Sequence, residues 1–104
     1  MGPGNPAAIN CQKLGGIIEI EETPNGQKGN CVIDEWTLFR AMLKRGLVTE
    51  KSYDDAIGMP NPASVNCIKI GGSLRIVETS QGQAGNCVVD EWALFRVIDV
   101  VTKP

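Results

Sequence analysis

Apolar positions along the chain follow two periods, and the same succession of periods occurs twice. Ala7, Cys11 and Leu14 lie at i, i+4 and i+7, one face of a helix. Residues 17–22 and 30–33 then carry β-branched side chains in partial alternation, with Pro24-Asn25-Gly26 between them. Alternation around a turn signal predicts a β-hairpin. Trp36, Phe39 and Leu43 return to helical spacing at i, i+3 and i+7. The punctuation agrees with this order. Asn5-Pro6 suits a helix start, Gly15-Gly16 a left-handed stop, Asp34 a second cap and Gly46 a second stop. The same grammar recurs at Asn61-Pro62, Gly71-Gly72 and Asp90, with Trp92, Phe95 and Val97-Ile98 on the closing helix.

Residues 5–40 and 61–96 align without a gap at an offset of 56 positions, and 23 of the 36 columns are identical. One structural unit has been built twice. The predicted fold is α+β: two αββα repeats related by a pseudo-twofold axis, with an antiparallel sheet covered by helices. Repeat 1 is expected at residues 1–46, a helical connector capped by Thr49 and ended by Pro60 at 47–60, and repeat 2 at 61–104. A repeat of about 50 residues buries too little apolar surface alone, so the two are expected to fold as one cooperative unit. Period-2 alternation puts Ile18 with Ile20, Leu74 with Ile76, and Cys31 with Ile33 on common faces. If that face meets the first helix, Cys31 reaches Cys11.

Composition narrows the function. The chain has 104 residues, 42% hydrophobic and 21% charged, as ordinary globular proteins do. Net charge is −2 with scattered Lys and Arg, so no basic stripe supports nucleic-acid binding. No apolar run approaches the roughly 18 residues that span a bilayer, so no membrane insertion is expected. There is no histidine, and neither a cysteine nor a serine has a base to activate it. No catalytic residue, cofactor or metal is therefore assigned. Cys11 and Cys31, then Cys67 and Cys87, fall two per repeat at equal spacing. A disulfide within each repeat suits even number and equal spacing. Four buried thiols and a four-cysteine zinc site are the other readings.

The string D-E-W-x-L-F-R occurs twice. A functional reading pairs Glu35 with Arg40 and Glu91 with Arg96. The favoured reading is structural: Asp34 and Glu35 open a helix, and Trp36, Phe39, Arg40, Trp92, Phe95 and Arg96 are anchors, the aromatics in the core and Arg40 either a solvated cation or a structural partner for a carboxylate. Gly26 and Gly29 are read as turn and bulge residues. Glu19, Glu21 and Glu22 are read as solvent-facing; the second copy has Arg75 and Val77 in place of the first two.

The string of Asn61-Pro62-Ala63-Ser64, Cys67, Gly71-Gly72, Gly82, Gly85, Cys87 and Glu91-Trp92-Ala93-Leu94-Phe95-Arg96 resembles a small bacterial and archaeal domain family of unknown function. Its members often carry a haemolysin label. Asn5-Pro6-Ala7, Cys11, Gly15-Gly16, Gly26, Gly29, Cys31, Glu35-Trp36 and Leu38-Phe39-Arg40 repeat the resemblance in the first copy. It implies an exported, envelope-associated protein, periplasmic, lipoprotein-type or extracellular, whose leader is absent from this chain. Many members have a longer segment before Glu-Trp, sometimes with another cysteine. Here three residues separate Cys31 from Glu35, so that extra cysteine pairing is absent. The predicted strands of five or six residues are too short for a lytic pore.

The expected function is a non-catalytic, envelope-associated binding or inhibitor-like module with a protein partner. The hairpin tips, TPNGQKG and TSQGQAG, differ between copies and would give different contacts. A structural or assembly protein is the alternative, and a cysteine-based redox protein a third. A monomer with internal pseudo-symmetry, or a weak dimer, is expected.

Overall fold

The computed structural model describes residues 5–48 and 61–102, with the side chains of 99–102 excepted. The predicted connector helix falls largely on residues 49–60 and lies outside the described residues. Helix α1 (Pro6–Leu14) is followed by strands β1 (Ile17–Thr23) and β2 (Gly26–Asp34) and helix α2 (Glu35–Lys44). The second half repeats this as α3 (Pro62–Lys69), β3 (Ser73–Thr79), β4 (Gly82–Asp90) and α4 (Glu91–Thr102).

Local chemistry sets these boundaries. Asn5 caps α1 by accepting from Ala8 N at 2.7 Å, and Pro6 supplies the first helical residue. Gly15 ends the helix at φ 104°, letting Gly16 N donate to Cys11 O at 2.9 Å. Asp34 caps α2 by accepting from Trp36 N at 3.0 Å and Thr37 N at 2.9 Å. Asp90 does the same for α4, accepting from Trp92 N at 2.9 Å and Ala93 N at 3.0 Å.

The four strands form one antiparallel sheet in the order β1-β2-β4-β3. Its centre shows how the halves are related. Val32 on β2 pairs with Val88 on β4, its own equivalent at the 56-residue offset. Cys31 pairs with Val89 and Ile33 with Cys87, so the pairing is unchanged when the copies are exchanged. A pseudo-twofold axis therefore passes between Val32 and Val88.

Helices pack mainly across this axis, α1 against α4 and α2 against α3, while α1 and α2 meet only along a narrow margin. The α+β architecture of two similar helix–strand–strand–helix halves agrees with the sequence reading. The core draws on both halves: Cys11, Leu14, Cys31, Ile33, Leu38 and Met42 meet Cys67, Cys87, Val89, Leu94 and Ile98. Cys11 is bonded to Cys31 and Cys67 to Cys87, joining the first helix of each half to its return strand. Gly16 and Gly72 lie flat on these bridges; a Cβ at either would come within 2.9 Å of both sulfurs of its bridge.

The hairpins correct the sequence reading. The connection is the two-residue turn Pro24-Asn25, not seven residues, and its twin is Ser80-Gln81. Thr23 Oγ1 donates to Gly26 O at 2.5 Å and Thr79 Oγ1 to Gly82 O at 2.6 Å, closing both turns. The polar residues beyond are strand residues tied across the ladder. Gln27 Nε2 donates to Glu22 Oε2 at 2.7 Å, and Asn30 Nδ2 to Glu21 Oε1 at 2.8 Å. Gly29 is not a bulge, for it pairs regularly with Ile20.

Candidate functional site

The aligned motifs converge on one arrangement, present twice. Glu35, first residue of α2, is buried at 5% exposure, and Glu91, first residue of α4, at 7%. Each carboxylate crosses into the other repeat. Glu35 accepts from Ser64 Oγ at 2.5 Å and Asn61 Nδ2 at 3.4 Å, at the start of α3. It lies over Gly85 of β4, where an added Cβ would stand 2.8 Å from its Cδ. Glu91 accepts from Asn5 Nδ2 at 3.0 Å, at the start of α1, and lies over Gly29 of β2 with the corresponding distance 2.7 Å.

This accounts for three residue types at once. The glycine leaves room for the carboxylate. The asparagine caps its own helix through Oδ1 and donates to the glutamate through Nδ2, which an aspartate cannot do. The carboxylate sits at the positive ends of two helices, its own and the other repeat's. The clasps are unequal because Ala8 stands where the second copy has Ser64.

The predicted anchors separate. Phe39 is buried beside Ala63 and Val65, and Phe95 is half-buried. Trp36 and Trp92, expected in the core, lie at the surface with 39% and 40% exposure. Each rests edge-on against its phenylalanine, with ring centroids 5.8 and 5.7 Å apart. The buried row of α2 is Glu35, Leu38, Phe39 and Met42, so the glutamate occupies the inward position expected of the tryptophan. Arg40 and Arg96 are exposed and make no ion pair among the described residues; neither pairs with Glu35 or Glu91. Both stand as solvated cations rather than as carboxylate partners among the described residues.

Two further asymmetries mark the halves. On the helix-free face of the sheet, Arg75 of β3 reaches across both central strands to Glu19 of β1, with contacts of 2.8 and 3.1 Å. The guanidinium's hydrogen bonds, more than its charge, hold the Glu19 carboxyl below its ordinary pKa. These residues are equivalents at the 56-residue offset. In the core, Asn66 Nδ2 donates to Met42 Sδ at 3.1 Å. For the equivalent Asn10, Ile98 stands at the position that corresponds to Met42, and the Asn10 Nδ2 is buried without a partner among the described residues.

Sequence reasoning missed Asn5, Asn61, Ser64, Gly29 and Gly85 as parts of this arrangement. No group of His, Cys, Asp and Glu among the described residues has the arrangement of a metal site. No helix among them is long and apolar enough to cross a membrane.

The family described as "Domain of unknown function (DUF333)" matches twice, over residues 2–42 and 58–97. The chain is similar to Uncharacterized protein YoaF of Escherichia coli strain K12, 52% identical over 46 residues, covering 38% of this chain and 55% of that protein. YoaF of Shigella flexneri matches to the same extent. The chain thus spans about half the length of the curated relatives it matches. No solved structure matches.

Proposed function

Because the chain belongs to the DUF333 family through both of its halves, a family without an assigned activity, its role must be read from its own geometry, and we propose a non-catalytic binding module of an oxidising, extracytoplasmic compartment. The observation that carries this reading is the engagement of the groups best able to do chemistry. All four cysteines are in buried disulfides, and both buried glutamates are held by donors from the opposite repeat. Several of the differences between the halves are displayed at the hairpins: Pro24-Asn25 against Ser80-Gln81 at the tips, and Lys28 against Ala84 beside them. Repeated scaffolds with differing exposed turns suit recognition of a protein partner.

A structural or assembly role is the second reading, favoured by the self-pairing of Val32 with Val88. A chain carrying one such repeat would complete the same sheet with a second copy. A redox role is least supported, because reactive cysteines are partly exposed whereas all four here are fully buried.

The test is capture of envelope proteins on the disulfide-intact chain, repeated after exchanging Pro24-Asn25 for Ser-Gln. A partner lost on exchange supports recognition through the tips. A partner set unchanged by exchange of both tips and of Lys28→Ala refutes it. Thiol alkylation of the protein from its own cells should find no free thiol; four free thiols would refute the compartment.

A further inference from the structure

Four of the chain's ten Lys and Arg residues line a single cleft between α1 and α2. Lys13 comes from the last turn of α1, and Arg40, Lys44 and Arg45 from α2 and its cap. Leu14 and Ala41 supply apolar lining, and the cavity measures about 350 Å³. All four cations are exposed, and among the described residues no carboxylate lines the cleft and none of the four makes an ion pair. Arg45 is partly occupied, donating through Nη1 to Ala41 O at 3.2 Å.

Helix ends alone do not account for this cluster. A cation in a last turn offsets the helix dipole, which covers Lys13 and Lys44 taken singly. Arg40 sits in mid-helix, however, and α4 has no basic residue in its last turn. At the 56-residue offset the second half has Lys69, Arg96, Val100 and Val101. The helices are duplicated but the charge is not. In a chain of net charge −2, such a concentration of like charge favours a bound anion.

We infer that this cleft is a binding site for a phosphoryl anion carrying several negative charges. Guanidinium forks match phosphoryl oxygens, and lysines add point charges. A terminal phosphoryl group carries about −1.5 to −2 at neutral pH, so an anion with more than one phosphoryl group offsets most of the charge of four cations within one cleft. An acidic peptide would need several residues at roughly 3.3 Å each to present the same charge, and would extend past it.

Sodium pyrophosphate is the probe, titrated at low ionic strength into the full disulfide-bonded chain by calorimetry and by amide chemical shifts. Saturable binding is expected, with shifts confined to α1 and α2 and an affinity that falls as salt rises. Arg40→Glu with Lys44→Glu should weaken binding by about tenfold or more, while Arg96→Glu, its counterpart in the second half, should leave it unchanged. Arg96→Glu should keep the wild-type melting temperature and the double variant should fall only slightly below it, since the side chains are exposed and only Lys44→Glu opposes a helix dipole. Phosphatidylcholine vesicles doped with phosphatidic acid assign the source: recruitment lost in the Arg40/Lys44 variant places the phosphoryl group on a lipid, and its absence beside pyrophosphate binding places it on a soluble ligand. Absence of saturable pyrophosphate binding, an undiminished affinity in the Arg40/Lys44 variant, or an equal loss in Arg96→Glu would overturn the site. The site is independent of the protein partner proposed above, so its failure leaves that reading standing.

Discussion

Glu35 and Gly85 offer a direct test of the clasp, because each makes sense only beside the other. Truncating Glu35→Ala removes a carboxylate that accepts from Ser64 Oγ at 2.5 Å and, more weakly, from Asn61 Nδ2 at 3.4 Å. One charge-assisted hydrogen bond is worth about 1.5–3 kcal/mol, and Ser64 is left without its acceptor. A loss of about 2–4 kcal/mol is expected. Gly85→Ala inserts a methyl 2.8 Å from Glu35 Cδ, an overpacking that costs about 1–3 kcal/mol. Gly85 is not among the positive-φ glycines, so the cost is steric. In the double variant the methyl enters space the carboxylate has vacated. The two effects should then fall short of their sum by about 1–3 kcal/mol. Equilibrium urea unfolding with both disulfides intact measures all four corners. Additivity within about 0.5 kcal/mol would show that the glycine does not make room for the glutamate. The second clasp provides a calibration. Glu91 has Asn5 but only Ala8 where Glu35 has Ser64, so Glu91→Ala should cost less than Glu35→Ala by about one hydrogen bond, near 1.5 kcal/mol.

Other outcomes follow from the same geometry. Asn61→Asp keeps the helix cap but sets a second carboxylate against Glu35; urea midpoints should show a loss of about 1–3 kcal/mol at neutral pH. Trp36→Ala, at a position 39% exposed, should cost about 1–2 kcal/mol, less than the 2–5 kcal/mol of Leu38→Ala in the core; a larger loss at Trp36 would restore it to the core. The Glu19 carboxyl should titrate below its ordinary value of 4.5 because of Arg75. A carboxyl pKa depressed on folding adds stability above its unfolded value and loses it as pH falls through the folded one. A carbon-detected titration should show the midpoint returning upward in Arg75→Gln, and no change there would contradict the bridge.

What the sequence disclosed was local. Asn5-Pro6, Gly15-Gly16 and Asp34 each fix a helix end through bonds to residues a few places away, so the αββα order and the sheet faces were legible. The clasp was not, because its parts come from different repeats. Glu35 fits the i, i+3, i+7 row of Leu38 and Met42, but a charged residue is discounted when apolar periodicity is sought. Trp36 took its place because it stands three residues from Phe39, with which it does pack, at the surface. Gly29 looked like loop chemistry beside Lys28. The requirement it meets, space for Glu91, comes from 62 positions further along the chain. The Glu19–Arg75 bridge was hidden likewise: a departure between copies at equivalent positions reads as drift until the sheet brings those positions together.

The interlocked halves are expected to unfold as one cooperative unit rather than as two adjacent domains. The decisive measurement is fluorescence-detected urea unfolding of two single-tryptophan proteins, Trp92→Phe reporting on the first half and Trp36→Phe on the second, each compared with and without Leu94→Ala. Leu94 belongs to the second repeat but lies fully buried in the shared core. One unit predicts a single transition in each protein, with both reporters displaced to lower urea by the same amount. A displaced transition at Trp92 beside an unmoved one at Trp36 would show that the halves unfold separately.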